Sequence, residues 1–554
     1  MKKDLLLLVL LVLPAFAPLL QQGYFSMHDD MQSIRQMKMD QCLADLQFPC
    51  RWSLDLGYGY GYPLFSYYPP LPYLIGQPFR WLGFQYIDVV KIVGILGFMA
   101  TASFMYLLGK EFWGRLGGLV AAAFYTYAPY HSVDFYVRGA MNEFWALALF
   151  PIIFWTTYRL IKYGVRYIPL VALSVAGLML SHNPILMIFA PVLVIWCLFW
   201  VFKFRSISLI RSIRNLTISA LWALGLAAFF TLPVLLETKF VSVWTLTAGY
   251  FNYLAHFLDL NQIFLRINWG YGESVYGRGD TMSFALGYLH WIIPAIILIL
   301  TPFVKKLKNN YQLILISSIY LLASLFMAHF KATPIWQAFP PMEFLQFPWR
   351  FLTLAIFAAS FLSGAIAQIF PKKVLVILIS LVILINSNYF HPRQWYPDMT
   401  DAKKFSGKSW QLLITSGIFD YLPIWAPQPP ADPALEDIKF VSGEGIYSTL
   451  VKKTNRQEYL ITTWTPTAVA ELQTYYFPGW KIWVDGEEVK IDPSRDKVLG
   501  RMQVDLSQGK HQILVRFTNT PVRALANTVS FLSWLVLFLY SLRFISKKFI
   551  DNRD

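Results

Sequence analysis

Twelve long apolar stretches run through the 554-residue chain, and they restrict its folds more than any other feature. Each is close to the roughly 17–25 residues that an α-helix needs to cross the ~30 Å hydrocarbon core of a bilayer. Backbone polar groups in lipid must be satisfied within the segment, which favours helices here. The stretches are 5–22, 88–108, 116–134, 141–160, 167–182, 184–202, 216–236, 284–303, 311–329, 351–370, 373–390 and 524–545. We therefore predict a polytopic α-helical membrane protein with about twelve spans.

The composition of the chain agrees with this prediction. Apolar residues make up 56% of the sequence and charged residues only 14%, whereas about a quarter of the residues in a soluble domain are charged. The mean hydropathy of +0.46 implies more apolar surface than soluble cores could bury. These values exclude a disordered chain, a collagen, a coiled coil and a disulfide-stapled secreted scaffold.

The net charge of +15 reflects membrane topology rather than a nucleic-acid partner. If the N-terminus is cytoplasmic and the spans alternate in direction, the inner segments carry twenty Lys and Arg against four Asp and Glu. The outer segments are then close to neutral. This asymmetry follows the positive-inside rule. We predict a multi-pass protein of the cell membrane with both termini in the cytoplasm and no nucleic-acid partner.

Three regions follow from the order of the stretches. Residues 1–390 form a transmembrane domain of eleven spans with a long first outer loop at 23–87. Residues 391–523 are polar and alternate like strands, with Asp485-Gly486 as a hairpin signal. We predict a β-sandwich-like extracytoplasmic domain there. Residues 524–554 supply the final span and a cytoplasmic tail.

The residue types that acid–base chemistry and metal binding need collect on the predicted outer side. All eight histidines and 28 of the 32 acidic residues lie on or near that side. The outer loops are longer, which accounts for most of this bias, but the short inner loops could not hold an active site. Any chemistry is therefore expected to face outward. Cys42 and Cys50 share the first outer loop, where a disulfide can form.

Two adjacent carboxylates, Asp29 and Asp30, follow the first predicted span. A carboxylate at the depth of the lipid headgroups could take a proton from an acceptor hydroxyl while a lipid phosphate leaves. The second carboxylate could orient the first or bind a metal ion. A solvated loop or a helix cap would explain the same pair without any chemistry.

Further ionisable residues stand at the outer mouths of other predicted spans. Asp134, Arg138 and Glu143 lie in the second outer loop. Because an unpaired charge is costly at the start of a span, an Arg138–Glu143 ion pair is one interpretation, and it does not exclude a function. His182 lies in a tight outer turn, and Arg350 stands at the mouth of a later span. Such groups could meet the charge of a phosphate.

This arrangement resembles the GT-C class of membrane glycosyltransferases, which use polyprenyl-phosphate-linked sugars. The chain is also similar to YfhO-like bacterial membrane proteins and to the family labelled 6-pyruvoyl-tetrahydropterin synthase-related. The stretches that carry the similarity are Met27–Asp30, Tyr136–Ala140 with Glu143, Ser181–Asn183, Trp269–Gly272, Phe347–Arg350, Tyr475–Trp480 and Val484–Gly486. Pterin chemistry is not expected, because no soluble pterin fold or zinc-binding histidine cluster fits between the spans.

The resemblance implies a GT-C-like transmembrane domain with Asp29 and Asp30 as catalytic residues, and we favour Asp29 as the base. The class commonly has Asp-Glu where this chain has Asp-Asp, so the choice between the two stays open. The residues implied for the donor phosphate are Arg138, Arg350 and His182. Those implied to support them are His28, Asp134 and Glu143. A divalent metal (Mg²⁺ or Mn²⁺) on Asp29 and Asp30 is compatible but not required, since arginines could neutralise the phosphate.

Three functions are compatible with the sequence. The favoured one is an inverting glycosyltransferase that moves a sugar from a polyprenyl-phosphate carrier to an extracytoplasmic cell-wall polymer, glycolipid or protein. A transporter or flippase would instead show ionisable residues at mid-membrane and repeated halves, and neither is evident. A non-catalytic scaffold that binds lipid or glycan would keep the same fold.

Overall fold

The computed structural model describes residues 2–204, 209–266, 269–277 and 279–551. Residues 552–554 of the predicted tail lie outside this part of the chain. Within it, nine helices are long and apolar enough to cross a membrane. They are Lys3–Leu20, Tyr86–Thr126, Met141–Tyr163, Asn183–Lys203, Leu209–Phe240, Tyr311–Ala328, Pro348–Gln368, Lys372–Tyr389 and Pro521–Arg543. Two shorter apolar helices are Val165–Met179 and Tyr288–Leu300. The predicted polytopic helical membrane protein with a C-terminal β-rich region is confirmed.

One helical segment covers two of the predicted spans. Tyr86–Thr126 has 41 residues, which at 1.5 Å per residue would extend about 60 Å, twice the thickness of a hydrocarbon core. The helix breaks at Gly114, whose φ of 76° and ψ of −179° are not helical. Glycine adopts this conformation without a steric penalty. The segment is therefore two helices joined at a kink, as the predicted stretches 88–108 and 116–134 require.

The second of these helices ends earlier than predicted. It stops at Thr126, and the polypeptide continues as a short helix Pro129–Ser132 and a π-helical turn Val133–Val137. Ala128 is extended (φ −62°, ψ 128°), because the ring of a following proline disfavours the helical conformation. The prediction of helix over 127–134 as part of the same span is wrong, and this irregular segment carries Asp134.

By compactness the chain divides into two units. The first consists of Met1–Gln32, Ile87–Leu224 and Thr247–Thr400, and the second of Ser33–Tyr86, Gly225–Leu246 and Asp401–Asp554. These units do not follow the predicted domain boundaries at 390 and 523, which stay a prediction. In the first unit, Met141–Tyr163 and Pro348–Gln368 are the most deeply buried spanning helices, at 78% and 89% of their most apolar windows. Each carries a buried charged residue near its first turn.

A small antiparallel pair of strands lies in the first unit. Strand β1 (Tyr24–Phe25) follows the first span and pairs with β2 (Trp395–Tyr396). The ring of Phe25 stacks on that of Trp395 at 5.7 Å. Lys91 adds two hydrogen bonds of 2.9 Å, to the carbonyl oxygens of Gln21 and Gly23. These contacts fix the chain immediately before the acidic segment that contains Asp29.

The second unit is built on a six-stranded antiparallel sheet. Its strands are β3 (Ile438–Ser442), β4 (Gly445–Lys452), β5 (Arg456–Tyr475), β6 (Trp480–Val484), β7 (Glu487–Val489) and β8 (Arg501–Phe517). The order is β3-β5-β8-β6-β7, and β4 also pairs with β5. Alternate residues of β5, such as Tyr459 and Ile461, are buried in a core that also includes Trp52 and Tyr67. The predicted strands and the Asp485-Gly486 turn are confirmed.

Strands β3 to β8 form one sheet rather than the two sheets of the sandwich expected for residues 391–523. A sandwich needs two sheets, whereas hydrogen bonds join all six strands into one. The reason is strand length, because β5 has 20 residues and β8 has 17. Each is long enough to pair with different partners along its length, so β4 and β3 bind separate stretches of β5. Alternation in the sequence indicates strands but does not indicate which strands pair.

Residues 23–87, the predicted first outer loop, contain two amphipathic helices, Gln32–Ala44 and Leu71–Trp81. Both belong to the second unit except for Gln32. Asp40 on the first accepts hydrogen bonds from Gln77 and Tyr86, at 2.5 and 2.8 Å. Cys42 and Cys50 form a disulfide, which the sequence left as a possibility. The bond closes the short loop between the first helix and Arg51.

Candidate functional site

The acidic segment is held against the second outer loop by backbone hydrogen bonds within the first unit. The amide N of His28 donates to the carbonyl O of Val137, and that of Asp29 donates to the carbonyl O of Arg138, both at 2.9 Å. His28 is exposed, whereas Asp29 and Asp30 are half-buried. The structure thus brings together two segments that lie more than 100 residues apart in the sequence.

A glutamine fixes the carboxylate of Asp29. The side-chain amide of Gln32 donates to Asp29 Oδ2 at 3.0 Å and to the carbonyl O of Gly139 at 2.7 Å. Gly139 has a φ of 66°, and a Cβ there would lie 2.4 Å from Met27 Sδ and 3.1 Å from Asp29 O. Only glycine meets both requirements without strain. The backbone of Arg138 and Gly139 therefore holds the acidic segment in position.

A cluster of buried charges, centred on Glu143, lies beside Arg138 and Gly139. Arg138 Nη2 donates to Glu143 Oε2 at 3.0 Å, and Arg350 Nε donates to the same oxygen at 3.2 Å. The hydroxyl of Tyr130 donates to Oε1 at 2.7 Å. Arg138 also donates to Asp134. The predicted Arg138–Glu143 pair is confirmed, and Arg350 joins it from 207 residues away.

Aromatic rings and carbonyl groups hold the two guanidinium groups in place. Arg138 lies 4.5 Å from the ring centroid of Trp349, and Arg350 lies 4.9 Å from that of Phe347. Arg350 Nη1 also donates to the carbonyl O of Leu345 at 2.6 Å. A planar guanidinium held by stacking and hydrogen bonds loses little further entropy when it binds an anion.

The cluster is partly exposed at Arg138 and His182. The side chains of Asp134 and Glu143 are fully buried, whereas 12% of Arg138 and 14% of His182 is exposed. His182 Nε2 lies 4.0 Å from Glu143 Oε2. Its Nδ1 accepts a hydrogen bond from the amide of Ile185 at 3.2 Å, so in the neutral ring the proton is on Nε2. A ligand that reaches the cluster would therefore meet these two side chains first.

Burial and neighbouring charges shift the pKa values of two members of the cluster. Burial, followed by the negative charge of Glu143, raises the pKa of Asp134 well above its usual range. Burial, followed by the charge of Arg350, lowers the pKa of His182 to about 3. The cluster sets the guanidinium groups of Arg138 and Arg350 against the carboxyl groups of Asp134 and Glu143.

An apolar groove of about 490 Å³ lies in the same unit. It runs between the helices Asn183–Lys203 and Tyr311–Ala328 and is bounded by the start of Leu352–Ser363. Its lining extends from Met327 to Gln312 along the second of these helices, which is about 22 Å at 1.5 Å per residue. Phe351, the residue after Arg350, also lines it. The groove has the length and polarity of a site for a long apolar chain.

The other predicted residues are placed as follows. His28 Nε2 donates to the carbonyl O of Tyr271 at 2.9 Å, and Tyr271 in turn contacts His391 at 2.8 Å. The Trp269–Gly272 loop therefore lies beside the acidic segment. Among the described residues, no group of three or more His, Cys, Asp or Glu side chains could hold a metal ion. A divalent metal on Asp29 and Asp30 stays a prediction.

Sequence reasoning did not single out several partners in this site. Tyr130 donates a hydrogen bond to Glu143, and the ring of Trp349 packs against Arg138. No local pattern in the sequence indicates these contacts. Gln32 lies three residues after Asp29, a helical spacing that could have identified it. The groove has no local signal, since its lining comes from three helices.

These features define a polytopic membrane protein with a cluster of buried charged residues and an apolar groove. The model of the 6-pyruvoyl-tetrahydropterin synthase-related domain, described as a membrane protein, matches residues 65–392. This match covers more than half of the chain, and the protein belongs to that family.

Two individual proteins are similar to parts of the chain. An uncharacterized protein of Lactococcus lactis subsp. cremoris is 26% identical over 215 residues, which are 37% of this chain and 34% of the relative. The arabinofuranosyltransferase AftD from Mycobacteria aligns with a TM-score of 0.43 at 14% identity, over 72% of this chain and 27% of its own. The chain thus spans about a third of the first protein and about a quarter of the second. A TM-score this low does not establish a shared fold.

Proposed function

We propose that the protein is an inverting membrane glycosyltransferase of the GT-C type. It would transfer a sugar from a polyprenyl-phosphate carrier to an acceptor on the outer side of the membrane. The observation that carries the proposal is the combination of two buried arginines, Arg138 and Arg350, with an apolar groove whose lining begins directly after Arg350. An anionic headgroup joined to a long apolar tail is the ligand that fits both.

The donor phosphate would bind at the exposed edge of the cluster. Arg138 and His182 are the more exposed members of the cluster, and Arg350 would add its charge from a more buried position. Fixed donors stabilise the negative charge that develops on a leaving phosphate, and they do so more strongly in a site that excludes water. Glu143 would position both arginines rather than contact the donor.

The carboxylate of Asp29 would act as the base. In the proposed step it removes the proton from an acceptor hydroxyl, and the hydroxyl oxygen forms a bond to the anomeric carbon of the sugar. The bond from that carbon to the phosphate oxygen breaks, and the polyprenyl phosphate leaves with the electron pair. Attack opposite the leaving group inverts the anomeric carbon. Gln32 would keep the Asp29 carboxylate in position by its 3.0 Å hydrogen bond.

The test measures loss of label from the lipid fraction. Membranes that contain the wild type or an Asp29→Asn, Asp30→Asn variant are supplied with radiolabelled polyprenyl-phosphate sugars. We expect transfer by the wild type and a loss of at least 100-fold in the variant, as removal of a general base gives. An Asp398→Asn variant is the matched control, because Asp398 is an exposed aspartate of the same unit. Parallel samples with a chelator test whether Mg²⁺ or Mn²⁺ contributes.

Transfer at equal rates by the wild type and the double variant would remove both aspartates from catalysis. If neither protein transfers the sugar and labelled lipid stays bound to the purified wild type, the proposal of a glycosyltransferase is contradicted. A scaffold or a flippase is then favoured. Arg350→Gln is expected to weaken donor binding as well as turnover, whereas the double aspartate variant is expected to lower turnover alone.

The groove has its own test. Ala323 lines the groove, and Ala323→Trp would fill it. We expect this variant to raise KM for a long-chain donor while leaving a short, water-soluble donor analogue unaffected. The matched control is Leu322→Trp, whose position on the same helix is 61% exposed and does not line the groove. Equal KM values for the long donor in the two variants would remove the groove from donor binding.

A further inference from the structure

A second buried ionic cluster lies in the second unit, apart from the proposed reaction. It consists of Arg51, Glu237 and Arg523, which are 2%, 2% and 0% exposed. Glu237 ends the helix Leu209–Glu237, and Arg523 is in the first turn of Pro521–Asp551. Arg51 follows the disulfide-closed loop. Two arginines and one glutamate leave one formal positive charge in excess.

Glu237 forms its hydrogen bonds with Arg523 and Thr520. Its Oε2 accepts from Arg523 Nε at 2.7 Å, and its Oε1 accepts from the hydroxyl of Thr520 at 2.5 Å. Arg523 Nη1 donates to the carbonyl O of Pro478 at 2.8 Å. The carboxylate therefore pairs directly with Arg523, and one glutamate balances only one of the two arginines.

The hydrogen-bond partners of Arg51 are neutral. Its Nη2 donates to the carbonyl O of Phe229 at 3.0 Å and to Asn527 Oδ1 at 2.8 Å. Asn527 is one helical turn after Arg523, so both face the same side of the helix. The two guanidinium groups are therefore neighbours. Burial, followed by the charge of Arg523, lowers the pKa of Arg51 to about 9.

Each arginine has a buried N–H group without an acceptor among the described residues. These groups are Arg51 Nε and Arg523 Nη2. Both atoms are donors only, because a guanidinium has no acceptor. A buried charge in excess and unpaired donors are both costly. An anion that accepts from both would relieve the two costs together.

We propose that Arg51 and Arg523 bind a small monovalent inorganic anion of the size of chloride. Near-complete burial excludes a larger ligand, and the rings of Phe477 and Phe517, 5.1 and 5.2 Å from the Arg523 guanidinium, close the site around it. The anion would stabilise the junction of Arg51 with the two helix ends. It takes no part in the proposed transfer of sugar.

The test compares thermal unfolding of the purified full-length protein in sodium chloride and in sodium gluconate at equal ionic strength. Gluconate is too large for the buried site. We expect a saturable rise of Tm by several degrees in chloride and in bromide, because a ligand that binds only the folded state stabilises it. Equal Tm values in all three salts, or a rise that never saturates, would overturn the proposal.

Two variants show whether the effect belongs to this cluster. Arg51→Gln removes one of the two cationic partners and should abolish the chloride-dependent rise of Tm. Arg495→Gln is the control, because Arg495 forms an exposed ion pair with Asp505 in the same unit, and it should retain the rise. The same rise in Arg51→Gln would overturn the proposal. If Arg51→Gln does not fold, a bromide anomalous signal at the wild-type cluster supports the proposal and its absence contradicts it.

Discussion

At the scale of single residues, the position of the acidic segment depends on Gly139, because a side chain there would collide with the segment. A Cβ at Gly139 would meet Met27 and the backbone of Asp29, and its φ of 66° disfavours any L side chain. We expect Gly139→Ala to destabilise the protein by about 1–2 kcal/mol. We also expect transfer activity to fall by more than this loss of stability explains, because the Asp29 backbone must shift.

The control for this prediction is Gly249→Ala. Gly249 has a similar φ of 58°, but nothing lies within 4 Å of the Cβ it would acquire. This variant carries the backbone strain without the crowding. Thermal unfolding and transfer assays on both variants separate the two effects. Equal activity in the two variants would show that a shift of the Asp29 backbone does not affect the reaction.

Glu143 is the residue on which the charged cluster depends. Glu143→Gln keeps the shape of the side chain but leaves Arg138 and Arg350 buried without a carboxylate between them. Removal of one partner of a buried ion pair typically costs about 3–5 kcal/mol. We therefore expect a large loss in the free energy of unfolding in detergent, together with a loss of donor binding.

Glu111→Gln is the matched control, because Glu111 pairs with Arg159 at a partly exposed position. Partly exposed pairs contribute about 1 kcal/mol or less, so this variant should lose far less stability than Glu143→Gln. Similar losses in both would mean that the central cluster is no more important to the fold than a peripheral ion pair.

The sequence predicts the members of this cluster better than their arrangement. Glu143 and Arg138 are five residues apart, so the cost of an unpaired charge at a helix start was enough to predict their pair. Arg350 and His182 were identified only as charges at outer mouths. Their meeting at Glu143 depends on how the helices pack, which no local spacing records. The same holds for the groove, whose lining comes from three helices.

At the scale of elements, helices and strands follow from the sequence where one local pattern decides them. The Asp485-Gly486 turn predicted the β6–β7 hairpin, and both residues have the positive φ (52° and 94°) that such a turn needs. The end of a span at Thr126 is set by a proline three residues later and was missed. Pairing in the sheet could not be predicted, because β5 and β8 exceed the usual strand length.

The hairpin also makes stability depend on pH. His511 donates from Nδ1 to Asp485 Oδ2 at 2.6 Å and from Nε2 to the carbonyl O of Ser507 at 2.9 Å. Burial acts to lower the pKa of His511, but these hydrogen bonds outweigh it and raise the pKa above its usual value. The stabilisation is therefore complete below about pH 6.5 and is lost as pH rises through the higher folded-state pKa.

Asp485 sets the acidic limit of the same effect. The amide of Gln512, followed by the His511 side chain, lowers the pKa of Asp485, so its contribution is lost only as pH falls through that lowered value. We expect Tm of the wild type to fall more between pH 6 and pH 8 than Tm of His511→Gln. The corresponding difference in the free energy of unfolding should be about 1 kcal/mol or less, since Asp485 is half exposed.

Lys481→Gln is the control for the pH effect. Lys481 forms an exposed ion pair with Glu488 on the same hairpin, and histidine is the side chain that ordinarily changes charge in this pH range. The variant should therefore keep the full pH dependence of the wild type. A pH profile of His511→Gln that matches the wild type would show that the Asp485–His511 pair does not contribute.

At the scale of the whole molecule, the side of the membrane that each loop faces is predicted by charge alone. The proposed reaction needs the acidic segment and the sheet on the outer side, because the acceptor is expected there. Charge asymmetry predicts that the loop at Lys305–Lys308 is cytoplasmic and that residues 391–523 are outside. Lys308 and Lys510 are both exposed, so labelling at these positions reports membrane side rather than burial.

We expect single cysteines at these two positions to label differently with a membrane-impermeant maleimide. In a Cys197→Ser background, which leaves the Cys42–Cys50 disulfide intact, Lys510→Cys should label in intact cells. Lys308→Cys should label only after the membrane is permeabilised, and both should then react equally. Labelling of Lys308→Cys in intact cells, with Lys510→Cys protected, would place the sheet in the cytoplasm. An extracytoplasmic acceptor would then be ruled out, whatever the chemistry of Asp29.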